Sequence, residues 1–209
     1  MKILLVHSYL YSHGGDSIYT LRLGELLSSK GHEVAYFGMA SNKNIFHKYS
    51  NYEIDEVDYE IANQNKSIKS AMSVFIKPVY SFEAKRKIAA LLSDFNPDIV
   101  HLQSIHYHIT TSIIPEIKKR NIPIIWTQHN LFLMCSNYMF HNDDICEKCK
   151  ITKYYSPLIT RCKKDSLLAS ILSASQMTFD RLSGVYNQVD MFIAISDFFK
   201  KKMIEYGFP

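Results

Sequence analysis

The sequence predicts an α/β protein built on a doubly wound parallel sheet, and three observations carry that expectation. Short apolar runs recur along the 209 residues, most of them followed by a segment of helical period; such alternation specifies parallel strands joined by crossover helices. The first run, residues 2–7, has the apolar centre Ile3-Leu4-Leu5-Val6, as a strand covered on both faces requires. Between it and the next helix stands Gly14-Gly15, which marks the front of a β-α-β unit. Hydrophobic residues make up 47% of the chain and charged residues 21%, an ordinary globular balance that fills the core of one domain.

Taken in order, the loop after residue 7 ends in His13-Gly14-Gly15-Asp16, and a helix starts near Asp16 or Ser17, either of which can cap it. Ile18, Tyr19, Leu23, Leu26 and Leu27 share half its circumference and are expected to lie on the sheet. Gly31 stops that helix, and Glu33 to Phe37 forms the next strand. Residues 41–66, rich in Asn, Lys, Tyr and Ser, read as loops with one short strand. Residues 67–95 read as helix interrupted at Pro78, with Ser81 capping the second piece and Asn96-Pro97 closing it. A strand over 98–102, a helix over 110–120 and a strand over 122–127 follow. Residues 128–165 show no clear period. A helix over 166–186, a strand over 191–195 and a helix capped by Ser196 or Asp197 complete one Rossmann-like domain over 1–209. The chain stops at Gly207-Phe208-Pro209, just past a helix end, and no internal repeat is visible.

The formal net charge of +4 is no footprint of a nucleic-acid binder. It is compatible with an anionic substrate or an anionic membrane surface and selects neither. The basic runs Lys85-Arg86-Lys87, Lys118-Lys119-Arg120 and Lys200-Lys201-Lys202 are candidates for peripheral membrane contact, with solvated helix faces as the plainer explanation. The N-terminal run is too short for a secretory signal, and no stretch has the apolar length of a membrane span. A cytoplasmic chain with reduced thiols is therefore expected.

Three groups of residues carry chemistry. Gly14 and Gly15 precede a helix N-terminus, where backbone N–H groups and the helix dipole can face a phosphate or a sugar; a simple connecting turn explains a glycine pair equally well. The full dinucleotide fingerprint is missing, which disfavours nicotinamide binding. His101, His106, His108 and His129 lie in or just beyond predicted strands, where ligands of open α/β sheets collect. His101 reads as a satisfied core or edge residue and His108 as surface. His106 fits a ligand or a structural role, and His129 in Thr127-Gln128-His129-Asn130 favours a ligand role. No Ser or Cys stands at a spacing that suggests a hydrolytic triad.

The third group is Cys135, Cys146, Cys149 and Cys162, all the cysteines of the chain, gathered in an aperiodic segment. Four thiolates, two of them in a Cys-x-x-Cys turn, suit a structural zinc ion that holds together a segment with little core of its own. His141 is a possible substitute ligand. A Cys146/Cys149 redox pair, two disulfides or four free thiols are the other readings. Lys148, Lys150, Lys153, Lys163 and Lys164 read as a solvated face.

These residues also resemble a known family. Lys2 to His7, Gly14-Gly15 and Ser29-Lys30-Gly31-His32-Glu33-Val34 are similar to the opening of family 4 (retaining, "group 1") glycosyltransferases. Asn96-Pro97-Asp98-Ile99-Val100-His101 resembles that family's Pro-Asp-hydrophobic-His strand. Thr127-Gln128-His129-Asn130 resembles its Thr-x-His-Asp segment, with Asn130 in place of the acid. Asp190 to Phe198 resembles a further family segment, and the cysteines before Ser166 to Ser170 resemble those of one bacterial and archaeal subgroup.

The resemblance implies the N-terminal, acceptor-side half of a GT-B fold with a cysteine-rich insertion over 131–165. The donor-binding C-terminal domain would lie outside this chain, and 1–209 alone would not turn over. It implies transfer of a sugar from a nucleotide-sugar donor to a glycan or lipid-linked acceptor in cell-surface polysaccharide synthesis, at the inner face of the membrane. Gly14 and Gly15 would then line the interdomain cleft near the donor phosphates, with His129 at the transferred sugar. His106 would lie near the acceptor, Asn130 would bind substrate without serving as a carboxylate, and the zinc would be structural. A non-catalytic module that binds a glycan or a partner is the alternative. Donor, acceptor and oligomeric state are not encoded in these motifs.

Overall fold

The computed structural model describes residues 1–55, 77–142, 144–150 and 153–208, with backbone alone described within 141–145. Five strands form one parallel sheet: β1 (Lys2–Val6), β2 (Glu33–Phe37), β3 (Ile99–Leu102), β4 (Ile124–Gln128) and β7 (Met191–Ala194), in the order β2-β1-β3-β4-β7. Helices α1 (Gly15–Ser29), α2 (Phe82–Phe95), α3 (Ile114–Lys118), α4 (Ser156–Thr160), α5 (Leu167–Leu182) and α6 (Asp197–Glu205) connect and cover it. A two-stranded hairpin, β5 (His141–Asn142) with β6 (Asp144–Ile145), stands apart. The expected doubly wound α/β architecture is present.

The strands alternate between two apolar layers. Leu4 and Val6 of β1, Val100 and Leu102 of β3, and Ile124 and Trp126 of β4 face the larger core, with Ile88, Leu91, Leu92 and Phe95 of α2. Ile3 and Leu5 face the smaller layer, with Leu10, Tyr36 and α1. Each fully buried aliphatic side chain contributes about 1.5–3 kcal/mol, so the central strands are fixed by covering on both sides. Register follows from this alternation: Leu4 lies opposite Ala35 and Val100, and Leu102 opposite Trp126.

Several expected caps are present. The Ser81 hydroxyl accepts from the Ala84 N–H at 3.1 Å, and Ser166 and Ser196 do the same for Ala169 and Phe199. Each such cap stabilises by about 1 kcal/mol. Asn96 closes α2 with φ of 49°, and Pro97 prevents its continuation. The expected helix over 110–120 is a 3-10 turn leading into α3, and the 166–186 helix ends at Leu182. The proposed helical piece over 67–76 and loop over 56–66 lie outside the described residues, as do Pro209 and the His141 side chain.

Two expectations about α1 need correction. The helix begins at Gly15, with Gly14 as its cap residue, rather than at Asp16 or Ser17. Ser17 serves the cap from inside: its hydroxyl accepts from the His13 and Gly14 N–H groups and donates to the Gly14 carbonyl. The buried face is also different. Ser17, Thr20 and Gly24 are buried, with Leu21, Leu23 and Leu27 partly so, while Ile18, Tyr19 and Leu26 are exposed. The reason is proximity: a Cβ on Gly24 would fall 1.9 Å from the Tyr36 hydroxyl, so small residues let α1 lie close against β2.

Gly38 is a tighter constraint, because a Cβ there would sit 2.6 Å from the His7 carbonyl oxygen and 2.7 Å from Leu10 Cγ. Backbone cannot yield as a side-chain tip can. Gly38→Ala is therefore expected to lower the unfolding free energy by about 1–3 kcal/mol in denaturant titrations, with the displacement felt first at His7.

Candidate functional site

The carboxyl ends of β1, β3 and β4 meet the N-terminus of α1, the place where open α/β sheets hold ligands. Past β1, His7 is fully buried. Its Nδ1 accepts the Tyr9 backbone N–H at 2.9 Å, which assigns the ring proton to Nε2. Nε2 stands 3.3 Å from Asp16 Oδ2, a contact that falls short of full hydrogen-bond geometry and leaves this buried nitrogen incompletely satisfied. Asp16 lies in the first turn of α1. Its carboxylate also accepts from Ser104 Oγ at 2.5 Å and from the Ser17 N–H at 2.9 Å. The His7 contact, aided by Ser104 and opposed by desolvation, holds the Asp16 carboxyl well below the usual carboxylate range. Asp16 is thus a fixed negative charge at neutral pH.

Gly14 and Gly15 form the front of α1 as expected, but neither has positive φ; Gly14 is extended at φ −164°. A Cβ on Gly15 would meet nothing within 4 Å. Backbone conformation and protein neighbours therefore leave residue 15 unconstrained, and its missing side chain keeps open space beside first-turn N–H groups that have no intrahelical acceptor.

His129 follows β4. Its Nε2 lies 2.6 Å from Gln103 Oε1, a contact that places the ring proton on Nε2 and leaves Nδ1 as an acceptor. Burial lowers its pKa, with the Asp16 charge acting in the opposite direction, so His129 and Asp16 belong to one electrostatic site. The Gln103 carbonyl accepts Trp126 Nε1–H at 2.8 Å. His101 bonds Thr127 Oγ1 at 2.7 Å and is pushed down to about 4 by burial; it is a satisfied residue within the sheet.

A cavity of about 200 Å³ lies beside Asp16, walled by Tyr9, His13, Ser104, His106 and Asn130 among others. Gly14, Gly15 and His129 are not among its walls. His106 stacks on Phe132 with ring centroids 4.0 Å apart, and burial pushes it down to about 3, so it is neutral. Asn130 Oδ1 accepts the Phe132 N–H at 3.0 Å and so turns the chain. His108, expected at the surface, is half-buried against Tyr9, and desolvation lowers its pKa. Together with Tyr107 and Tyr138 it also walls a second, more apolar cavity of about 370 Å³ that continues to Pro78, Lys163, Lys164 and Leu172.

All four cysteines are free thiols. Burial, followed by the nearness of Cys135, pushes Cys149 up to about 12; Cys162 and Cys146 add to this, and the Ser136 N–H opposes it. Cys135 receives N–H groups from Phe140, Asn137 and Met139. Cys135 and Cys149 thus accept from backbone donors, although burial raises both thiols, and Cys162 lies 3.3 Å from the Ser136 hydroxyl. Among the described residues no three His, Cys, Asp or Glu side chains are already arranged to hold a metal ion.

Sequence reasoning missed His7, Tyr9 and Ser104 and took Asp16 for a cap. The available signal was position, since each stands just past a strand or at the helix start. The Asp16 environment gives a pH dependence. Its carboxyl is lowered on folding, so its contribution to stability is complete above the ordinary value of 3.8 and is lost as pH falls below about 4. The stability difference between the parent and Asp16→Asn is expected to hold steady from pH 5 to 7 and to shrink below pH 4 in denaturant titrations.

Residues 13–209 match the family described as Glycosyltransferase Family 4. An "Uncharacterized 42.6 kDa protein in cps region" of Klebsiella pneumoniae is 24% identical over 221 residues, covering 100% of this chain and 52% of that protein. The chain thus spans about half the length of the curated relative it matches. The crystal structure of Acinetobacter baumannii MurG is similar at 13% identity and a TM-score of 0.37 over 62% of this chain and 35% of that one, too distant a likeness to bear on function. No helix among the described residues is long and apolar enough to cross a membrane.

Proposed function

This chain belongs to glycosyltransferase family 4, and we propose that it is the acceptor-side domain of an enzyme that transfers a sugar from a nucleotide-sugar to a glycan or lipid-linked acceptor in cell-surface polysaccharide synthesis. The observation that carries this reading is the locked Asp16 carboxylate beside the open N-terminus of α1, with the neutral His129 ring in the same field. A carboxylate held as an acceptor suits sugar hydroxyls. A neutral histidine with Nδ1 available can accept a hydroxyl proton or orient the transferred sugar. The aromatic walls of the adjoining cavity suit the apolar faces of a sugar ring, with His106 toward the acceptor and Asn130 as a further substrate contact.

Asp16 also explains a division of labour. Its negative charge already occupies the positive end of α1, so the donor phosphates near Gly14 and Gly15 need cations from the remaining half of the protein. A relative named for its cps region supports the polysaccharide setting. A cytoplasmic location, with peripheral contact at the inner face of the membrane, belongs to the same reading and suits reduced thiols.

The test uses the full-length protein and a panel of nucleotide-sugars with lipid-linked and soluble glycan acceptors. Gly15→Ala is expected to keep or slightly raise stability, because Ala is the better helix former by about 1 kcal/mol, yet to lower kcat/KM at least roughly tenfold by filling the approach to the first turn. His129→Ala is expected to lower kcat about 10²-fold or more with little change in fold. Full activity in Gly15→Ala would remove the ligand role of the glycine loop. Glycan binding without turnover of any donor would favour the non-catalytic module.

The cysteines are read as ligands of one structural zinc ion, Cys135, Cys146, Cys149 and Cys162 together. What supports this is the nearness of the thiols to one another and the N–H donors around Cys135 and Cys149; burial holds both thiols protonated without a metal, so zinc binding would have to displace their protons. Protein purified under reducing conditions is expected to carry about one zinc per chain, and Cys146→Ser to lose both metal and thermal stability. Metal-free intact protein of unchanged stability would rule the site out.

A further inference from the structure

Lys163 is the only buried lysine or arginine among the described residues. Its ammonium donates to the Ser136 carbonyl at 3.0 Å and stands over the Tyr138 and Tyr107 rings, 4.1 and 5.1 Å from their centroids. An ammonium has three donors. Among the described residues the Ser136 bond fills one of them, and no carboxylate pairs with the charge. A cation withdrawn from water with donors left over is costly unless an anion meets it. Exposed lysines elsewhere on the chain carry no such demand, because water serves them.

Lys163 belongs to the wall of the cavity of about 370 Å³, a volume at the lower end of small-molecule sites. Tyr107 and Tyr138 give that wall aromatic rings, and Pro78, Ala169 and Leu172 give it apolar surface. Ser173 adds a buried hydroxyl with no hydrogen-bond partner among the described residues, a group that a ligand hydroxyl would satisfy. Tyr107, Tyr138 and Lys164 are held at positive φ of 65°, 51° and 54°. Residues with side chains adopt such conformations at a cost, and they gather at ligand sites. An aromatic and apolar wall with one cation and one hydroxyl fits a sugar ring that carries an acid.

Position decides which part of a glycan enters. The cavity shares Tyr107, His108 and Tyr138 with the smaller one beside Asp16, so one chain of sugars can span both. The fixed negative charge of Asp16 repels an anion from the smaller cavity, and Lys163 attracts it to the larger.

We propose that the larger cavity holds the second ring of the acceptor glycan and selects an acidic sugar there. Its carboxylate lies on Lys163, a hydroxyl on Ser173 and its C–H groups on the tyrosine and leucine walls. The terminal ring, which receives the transferred sugar, is neutral and lies beside Asp16. The inference rests on the acceptor-side reading and narrows the acceptor to a glycan of at least two rings with a negative charge on the second.

The experiment is isothermal titration of the full-length protein with disaccharides in matched pairs, which differ only in whether the second ring carries a carboxylate. The acidic member of at least one pair is expected to bind roughly tenfold tighter than its neutral partner, and this preference to weaken with salt. Lys163→Met is expected to remove the preference and to leave the neutral disaccharide unchanged; a merely structural lysine would weaken both alike. Leu172→Trp, at a half-buried position in the same wall, is expected to shut the second ring out and weaken the acidic disaccharide at least roughly tenfold. It serves as the test should Lys163→Met fail to fold. Equal binding within every pair, an acidic preference retained in Lys163→Met, or unchanged binding by Leu172→Trp overturns the proposal. Hexyl phosphate that binds more tightly than every acidic disaccharide also overturns it, and assigns the cavity to a phosphate on an apolar stem. Acid-selective binding without turnover of any nucleotide-sugar would remove the transferase reading and leave the subsite standing. Transfer to neutral and acidic acceptors alike would do the reverse.

Discussion

One carboxylate holds the working end of this molecule together. Asp16 is reached from the end of β1 by His7, from beyond β3 by Ser104 and from within α1 by Ser17. β1 and β3 are already joined by the sheet ladder and by the Ser8 N–H to Ser104 carbonyl bond at 2.9 Å; Asp16 adds α1 to that junction. A charged acceptor with several donors is a strong tie, because charge-assisted hydrogen bonds are roughly twice as strong as neutral ones, and it is directional where apolar contact is not. Gly38 makes the tie possible by letting the His7 carbonyl and Leu10 close over β2. The position of the candidate site is therefore a consequence of backbone proximity first and of side-chain chemistry second.

Much of the architecture was legible in the sequence because it depends on local rules. Ser81, Ser166 and Ser196 announced helix starts, and Asn96-Pro97 announced an end. The strands were legible because two-sided burial demands a continuous apolar run. What failed was inference from polarity alone. On α1 the period of large apolar residues pointed to Ile18, Tyr19 and Leu26, yet the sheet takes Ser17, Thr20 and Gly24, since close approach selects by size and not by hydrophobicity. The Asp16–Ser104 bond spans 88 residues, a pairing that no local pattern encodes. Likewise no local pattern showed that Lys85, Lys87, Lys118, Lys119 and Lys202 of the basic runs are held in ion pairs.

The cysteine segment shows the same limit from the other side. Its ligand types and the Cys146-x-x-Cys149 turn were plain, yet among the described residues no three of these side chains are already arranged around one metal position. What the pattern did not indicate was the segment's position. It joins β4 to α5, placing Lys163 and Tyr138 in the wall of the larger cavity and Lys148 and Lys153 beside the exposed apolar helix faces. Contrary to the expectation of a segment with little core, Leu131, Phe132, Leu133, Met134 and Phe140 are buried in the main core, and the segment borders both the groove and the surface beyond it.

Trp126 is the only tryptophan in the chain. It is fully buried in β4, donates its indole N–H to the Gln103 carbonyl, stacks on Phe192 and has the His106 ring 6.0 Å away. The residue that bonds His129 thus also accepts from the indole. Indole emission is sensitive to the polarity around the ring and to quenching by neighbouring groups, so this single tryptophan is an intrinsic optical probe of the candidate site through Gln103 and His106. Occupancy beside Gln103 would be written into its spectrum with no label attached, and the colour of the light would distinguish a filled pocket from a wet one.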